Sequence, residues 1–144
     1  MPTLLVPLLI VADQVLKLWA ERHLDPAPTP FLPGLYLTYV KNTGIAFGLF
    51  QGNSTALGWA SLAVGTLLLV YLGFFRASWP TQLALSLIAA GALGNAIDRL
   101  GRGYVIDYLD IGPGLWPVFN LADALVVAGV GVLVLEGLFF SRRR

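Results

Sequence analysis

Thr55-Ala56-Leu57-Gly58-Trp59-Ala60-Ser61-Leu62-Ala63-Val64-Gly65-Thr66-Leu67-Leu68-Leu69-Val70-Tyr71-Leu72-Gly73-Phe74-Phe75 carries no charged side chain. A bilayer-spanning helix needs about 20 mostly apolar residues, and this run supplies them. Lipid offers the backbone no hydrogen bonds, so the segment is predicted as a helix that satisfies its own N–H and C=O groups. Three more runs follow the same logic. One lies at about Thr3–Ala20 and holds Pro7, Asp13 and Lys17. A short one at about Thr81–Ile97 is rich in small residues, Ala89-Ala90-Gly91-Ala92-Leu93-Gly94. The last, at about Leu121–Phe140, has Asp123 near its start and Glu136 near its end. The fold class expected is an α-helical membrane protein with four transmembrane helices in one domain over residues 1–144.

Composition agrees. The chain is 57% hydrophobic and only 12% charged, with a mean hydropathy of +0.76. A soluble domain carries about 25% charged residues. A net charge of +1 leaves no footprint for nucleic acid. The absence of cysteine excludes a disulfide framework and thiol catalysis. The first run lacks a basic leading region and is interrupted by Asp13 and Lys17, which argues against a cleaved signal peptide.

Four spans put the two ends of the chain on one side. The 21–54 and 98–120 connections then share the other. Basic residues divide almost evenly between the sides: Arg76 and Arg142-Arg143-Arg144 on the first, Arg22, Lys41, Arg99 and Arg102 on the second. The clustered arginines favour a cytoplasmic tail. Within the first connection, Asp25-Pro26-Ala27-Pro28-Thr29-Pro30 reads as a stiff extended lead-in. Residues 35–40 and 45–50 read as short β segments around the turn Lys41-Asn42-Thr43-Gly44. Such a β element beside the helices caps the bundle or walls a substrate groove.

The chemistry rests on carboxylates, because they are costly in and beside lipid. Asp13 and Lys17 share a helix face at i, i+4, as an ion pair would. Asn95 and Asp98 share a face of the third helix. Asp98 is either catalytic or a clamp for Arg99 or Arg102, and residue chemistry alone does not rank it below Asp107. Asp123 suits a helix cap, but Asn120 is the natural N-cap and leaves Asp123 free to face the bundle. Two converging carboxylates share a proton, and the pair can activate water and protonate a carbonyl or leaving amine. The rival chemistry is a hard cation bound by Asp98, Asp107, Asp110 and Asp123. No ligand spacing supports zinc, and His23 reads as an interfacial residue.

Five blocks in order carry a resemblance over nearly the whole chain. They are Asp13-Gln14-Val15-Leu16-Lys17, Asn42-Thr43-Gly44-Ile45-Ala46-Phe47, Gly94-Asn95-Ala96-Ile97-Asp98-Arg99, Val105-Ile106-Asp107-Tyr108 and Phe119-Asn120-Leu121-Ala122-Asp123. The chain resembles the bacterial lipoprotein signal peptidases, or signal peptidase II. That resemblance implies an aspartyl endopeptidase of the bacterial cytoplasmic membrane. Such enzymes cut prolipoproteins just before a diacylglyceryl-modified cysteine, with no cofactor and no metal. It implies a catalytic dyad of Asp107 and Asp123, and site-supporting or substrate-holding roles for Asp13, Lys17, Asn42, Gly44, Asn95, Asp98, Arg99 and Asn120. It further implies an extracytoplasmic β-cradle, both termini in the cytoplasm and an active site at the outer face. The partners expected are prolipoproteins and membrane lipid. Tyr108 stands where the family usually has Phe. The runner-up is a small membrane transporter with a carboxylate proton relay.

Overall fold

The computed structural model describes residues 2–112 and 114–141. Its helices are α1 (Leu5–His23, led in by a 3-10 turn at Pro2–Leu4), α2 (Ser54–Phe74), α3 (Trp79–Arg102) and α4 (Leu121–Ser141). Among the described residues, four helices are long and apolar enough to cross a membrane. The strands are β1 (Thr29–Leu32), β2 (Leu35–Asn42) and β3 (Val105–Asp110). They form one antiparallel sheet in the order β1-β2-β3. α1 and α3 end, and α2 and α4 begin, at the sheet's side of the bundle. The arginine tail lies outside the described residues.

α3 is the hub, packing on α1, α2 and α4. Its N-terminus is capped by Ser78 Oγ, which accepts from the Thr81 N–H, and Pro80 sits in its first turn. Small residues let its neighbours approach. A Cβ on Gly91 would stand 2.3 Å from the Ala122 carbonyl oxygen of α4. One on Gly94 would meet Asp13 Oδ2 of α1 at 2.6 Å. The outward faces are apolar instead: Leu67 of α2, Val127 of α4 and Leu8 of α1 are each about two-thirds exposed. That pattern suits lipid and not water.

The β element differs from the sequence expectation. Residues 45–50 form no strand. The Ile45 N–H donates to the Leu49 carbonyl at 2.8 Å, a 3-10 turn covers Ala46–Gly48, and Phe47 and Phe50 have φ of 62° and 55°. The aromatic content that suggests a strand here belongs to a tight loop. β2 instead pairs with β1 on one edge and β3 on the other. The proline-rich lead-in thus ends in an edge strand, where Pro30 costs no interior ladder bond. The turn at 41–44 also starts later than expected, since Lys41 and Asn42 still pair with Ile106 and Val105. α3 runs on to Arg102, about a turn beyond the span end expected at Ile97, and carries Asp98 and Arg99 on helix.

Candidate active site

Two local devices bring the polar residues together. The first is the β2–β3 register, which sets Val40 opposite Asp107 and Asn42 opposite Val105. The second is a clip on β3: Phe119 exchanges backbone bonds with Leu109 at 2.8 and 2.9 Å, which delivers Asn120 to the start of α4 beside Asp107.

Asn120 and Asp123 then form a reciprocal cap. The Asp123 N–H donates to Asn120 Oδ1 at 2.9 Å, and the Asn120 N–H donates to Asp123 Oδ2 at 3.2 Å. So Asp123 serves as a cap through one oxygen only. Its Oδ1 accepts from Asn95 Nδ2 at 2.8 Å. Asp107 is 2% exposed, and its two oxygens accept from Asn120 Nδ2 (2.8 Å) and Asn42 Nδ2 (3.1 Å). Burial first, then the negative charge of Asp123, push the Asp107 carboxyl up to about 7, against the pull of the Asn42 and Asn120 donors.

Both aspartates line an open cavity of about 300 Å³ with Asn42, Asn95, Arg99 and Trp116. A second, more apolar cavity of about 360 Å³ continues from Asp123 along Ala124, Val127 and Ala128 of α4. Trp116 and Phe119 border both. Phe47 meets Trp116 edge to face, with ring centroids 5.7 Å apart. Arg99 donates to the Gly44 carbonyl at 3.0 Å, and its Nε is buried without a partner among the described residues. Gly44 has no room for a side chain, since a Cβ would fall 2.3 Å from the Leu49 carbonyl oxygen.

Asp98 sits elsewhere. It is fully buried and accepts from Gln14 Nε2 (3.0 Å) and the Ile106 N–H (3.1 Å). It also pairs with Lys17 (3.2 Å) and Arg102 (3.3 Å). Of the two clamp partners considered for it, Arg102 makes the contact and Arg99 turns to Gly44. Asp13 pairs with Lys17 at 2.8 Å and accepts from the Ala122 N–H at 3.1 Å. Asp110 turns back on its own loop, accepting from the Gly112 N–H. The four carboxylates weighed as a cation site therefore do not converge. Among the described residues no three His, Cys, Asp or Glu side chains form a metal-ligand group. His23 stacks on Trp19 at the end of α1.

Sequence reasoning left two participants unused. Gln14, inside the first block, bridges Asp98 and the Gly94 carbonyl. Its polarity in an apolar run was the available signal. Trp116 had none beyond being aromatic in a loop.

Comparison with known proteins adds an independent finding. The family model described as Signal peptidase (SPase) II matches residues 5–139. The lipoprotein signal peptidase of Syntrophomonas wolfei is 45% identical over 130 residues, covering 89% of this chain and 85% of that protein. That of Fusobacterium nucleatum is 39% identical over 142 residues, covering 95% and 86%. A bacterial membrane enzyme solved by the in meso method at 2.3 Å superposes with a TM-score of 0.87 and 28% identity. The match covers 99% of this chain and 90% of that one.

Proposed function

The chain belongs to the signal peptidase II family, and from that premise we propose that Asp107 and Asp123 are the dyad with which it removes signal peptides from prolipoproteins. The observation that carries the assignment is that these two carboxylates, and not Asp98, line the open cavity. Asp98 is spent on Lys17, Arg102, Gln14 and a backbone N–H, and a catalytic base needs a free approach.

Asp107, deep in the fold and beside a second carboxylate, is raised to about 7 and is the member of the pair that acts as the acid. Asp123, half-buried at the start of α4, is the base. Asp123 takes a proton from water as the water oxygen attacks the scissile carbonyl carbon. Asp107 gives its proton to the carbonyl oxygen, forming a neutral tetrahedral diol. Asp123 then returns its proton to the leaving nitrogen as the C–N bond breaks, and Asp107 takes a proton from a diol hydroxyl, which yields acid and amine and restores the starting pair. The apolar cavity along α4 receives the signal helix from the bilayer, and the diacylglyceryl chains of the substrate cysteine stay in lipid. A proton-relay transporter finds no support, since the relatives matched are signal peptidases and α2 holds no Asp, Glu, His, Lys or Arg.

The experiment is cleavage of a diacylglyceryl-modified prolipoprotein across pH, with and without a chelator. Activity should survive exhaustive chelation. It should follow a bell, because the singly protonated pair is the working form, with the alkaline side falling through about 7 as Asp107 loses its proton. Activity lost to the chelator and restored by one divalent ion would replace the dyad with a metal site.

The site side of the bundle is taken to face outward, with the 75–78 turn in the cytoplasm. Arg22→Cys should react with an impermeant thiol reagent on intact cells, and Arg76→Cys only after lysis. The reverse pattern would invert the protein.

A further inference from the structure

Three asparagines surround the two aspartates, and each amide has its oxygen tied to a group that can only donate. Asn42 Oδ1 accepts from the Gly44 N–H at 2.9 Å. Asn120 Oδ1 accepts from the Asp123 N–H at 2.9 Å. Asn95 Oδ1 accepts from Lys17 Nζ at 2.9 Å and from Asn120 Nδ2 at 3.2 Å. With its oxygen held, each side chain has one way to point its NH2, and each points it at a carboxylate. Two of the ties are backbone groups and belong to the fold. The third comes from a lysine on another helix, 78 positions away in sequence.

Lys17 is 0% exposed, an expensive place for an ammonium. A simple ion pair with Asp13 would account for one of its N–H groups. The other two go to Asp98 and Asn95, so all three donors are used. Were the Asn95 amide to turn over, its NH2 would face the ammonium and its oxygen would face Asp123 Oδ1. Both contacts would be repulsive, donor on donor and acceptor on acceptor.

We propose that Lys17 is a positioning residue for the reaction: it locks the Asn95 amide so that a fixed N–H always meets Asp123 Oδ1 and keeps that carboxylate an acceptor. The proposal rests on the dyad reading. It gives the lysine a role in the chemical step, beyond pinning α1 to α3. The other charged or titratable groups around the pair are Asp107 and Tyr108 of β3, Arg99 and Asp98 of α3, and Asp13 of α1.

The test must keep the buried charges balanced. Asp13 and Asp98 are offset by Lys17 and Arg102, so Lys17→Met is made together with Asp13→Asn. Asn95→Leu is the second variant. It keeps the volume and the charge balance but removes the donor that Lys17 holds in place. With no fixed N–H on Asp123 Oδ1, kcat should fall about tenfold or more in both variants, with KM little changed. A merely structural lysine would lower stability without that split. A folded double variant with the wild-type kcat overturns the lock. Should the double variant fail to fold, Asn95→Leu decides alone, and a wild-type kcat there overturns it equally. The dyad reading fails separately, if Asp107→Asn or Asp123→Asn still cleaves.

Discussion

Asp107→Asn and Asp123→Asn are each expected to abolish cleavage, by at least about 10³-fold, while the protein inserts and folds. The amide matches the carboxylate in volume but cannot shuttle a proton. The two losses should not add, because the pair acts as a unit. Two effects oppose at Asp107. Its carboxyl is raised from 3.8 to about 7, so the folded state binds its proton more tightly than the unfolded chain does. That contribution is present in full below about 4 and is lost as pH rises through about 7, a loss the amide escapes. Against this, the amide NH2 must face the NH2 of Asn42 or Asn120. At pH 8 Asp107→Asn should therefore melt near the wild type, which separates lost chemistry from lost structure. Rate measurements on both single variants and the double, with a thermal melt at pH 8, check this. Substantial activity in either single variant removes that residue from the dyad.

Gly91→Val should destroy activity by a different route. Its Cβ would lie 2.3 Å from the Ala122 carbonyl oxygen and 2.7 Å from Val126 Cγ2. The first of these is backbone and cannot swing aside. α4 would have to back away from α3 just where Asp123 leaves the helix, at a cost of about 1–3 kcal/mol or more. Misplacing a catalytic group by about 1 Å can cost about 10²-fold in rate. Gly131, on the same helix as Asp123, has nothing within 4 Å of its Cβ position. Gly131→Val is therefore expected to leave the melting temperature and cleavage near wild type. Equal behaviour of the two variants would mean that α3–α4 contact does not place the site.

The spans were legible because length and hydropathy decide them in lipid, whatever the tertiary contacts. The sheet was not. Residues 45–50 have strand-like composition, but positive φ at Phe47 and Phe50 bends them into a loop. The strands that do pair with β2 carry the discouraging residues, Pro30 in β1 and two aspartates in β3. Composition misleads here because pairing depends on distant partners. At the site, the blocks name the residues, yet a single chain cannot say how its donors and acceptors are shared. Asp123 looked like a choice between cap and site, and it has one oxygen for each. Asp98 and Asp107 could not be ranked from their neighbours in sequence. What separates them is Lys17, a helix away, which occupies the one and leaves the other open to the cavity.

The most direct measurement is the mass of the carboxy-terminal product after a purified diacylglyceryl-modified prolipoprotein meets the purified protein in lipid. The account predicts a product that begins at the lipid-bearing cysteine, formed by the wild type and not by Asp107→Asn or Asp123→Asn. Intact substrate beside folded wild-type protein, or the same product from either variant, would contradict it.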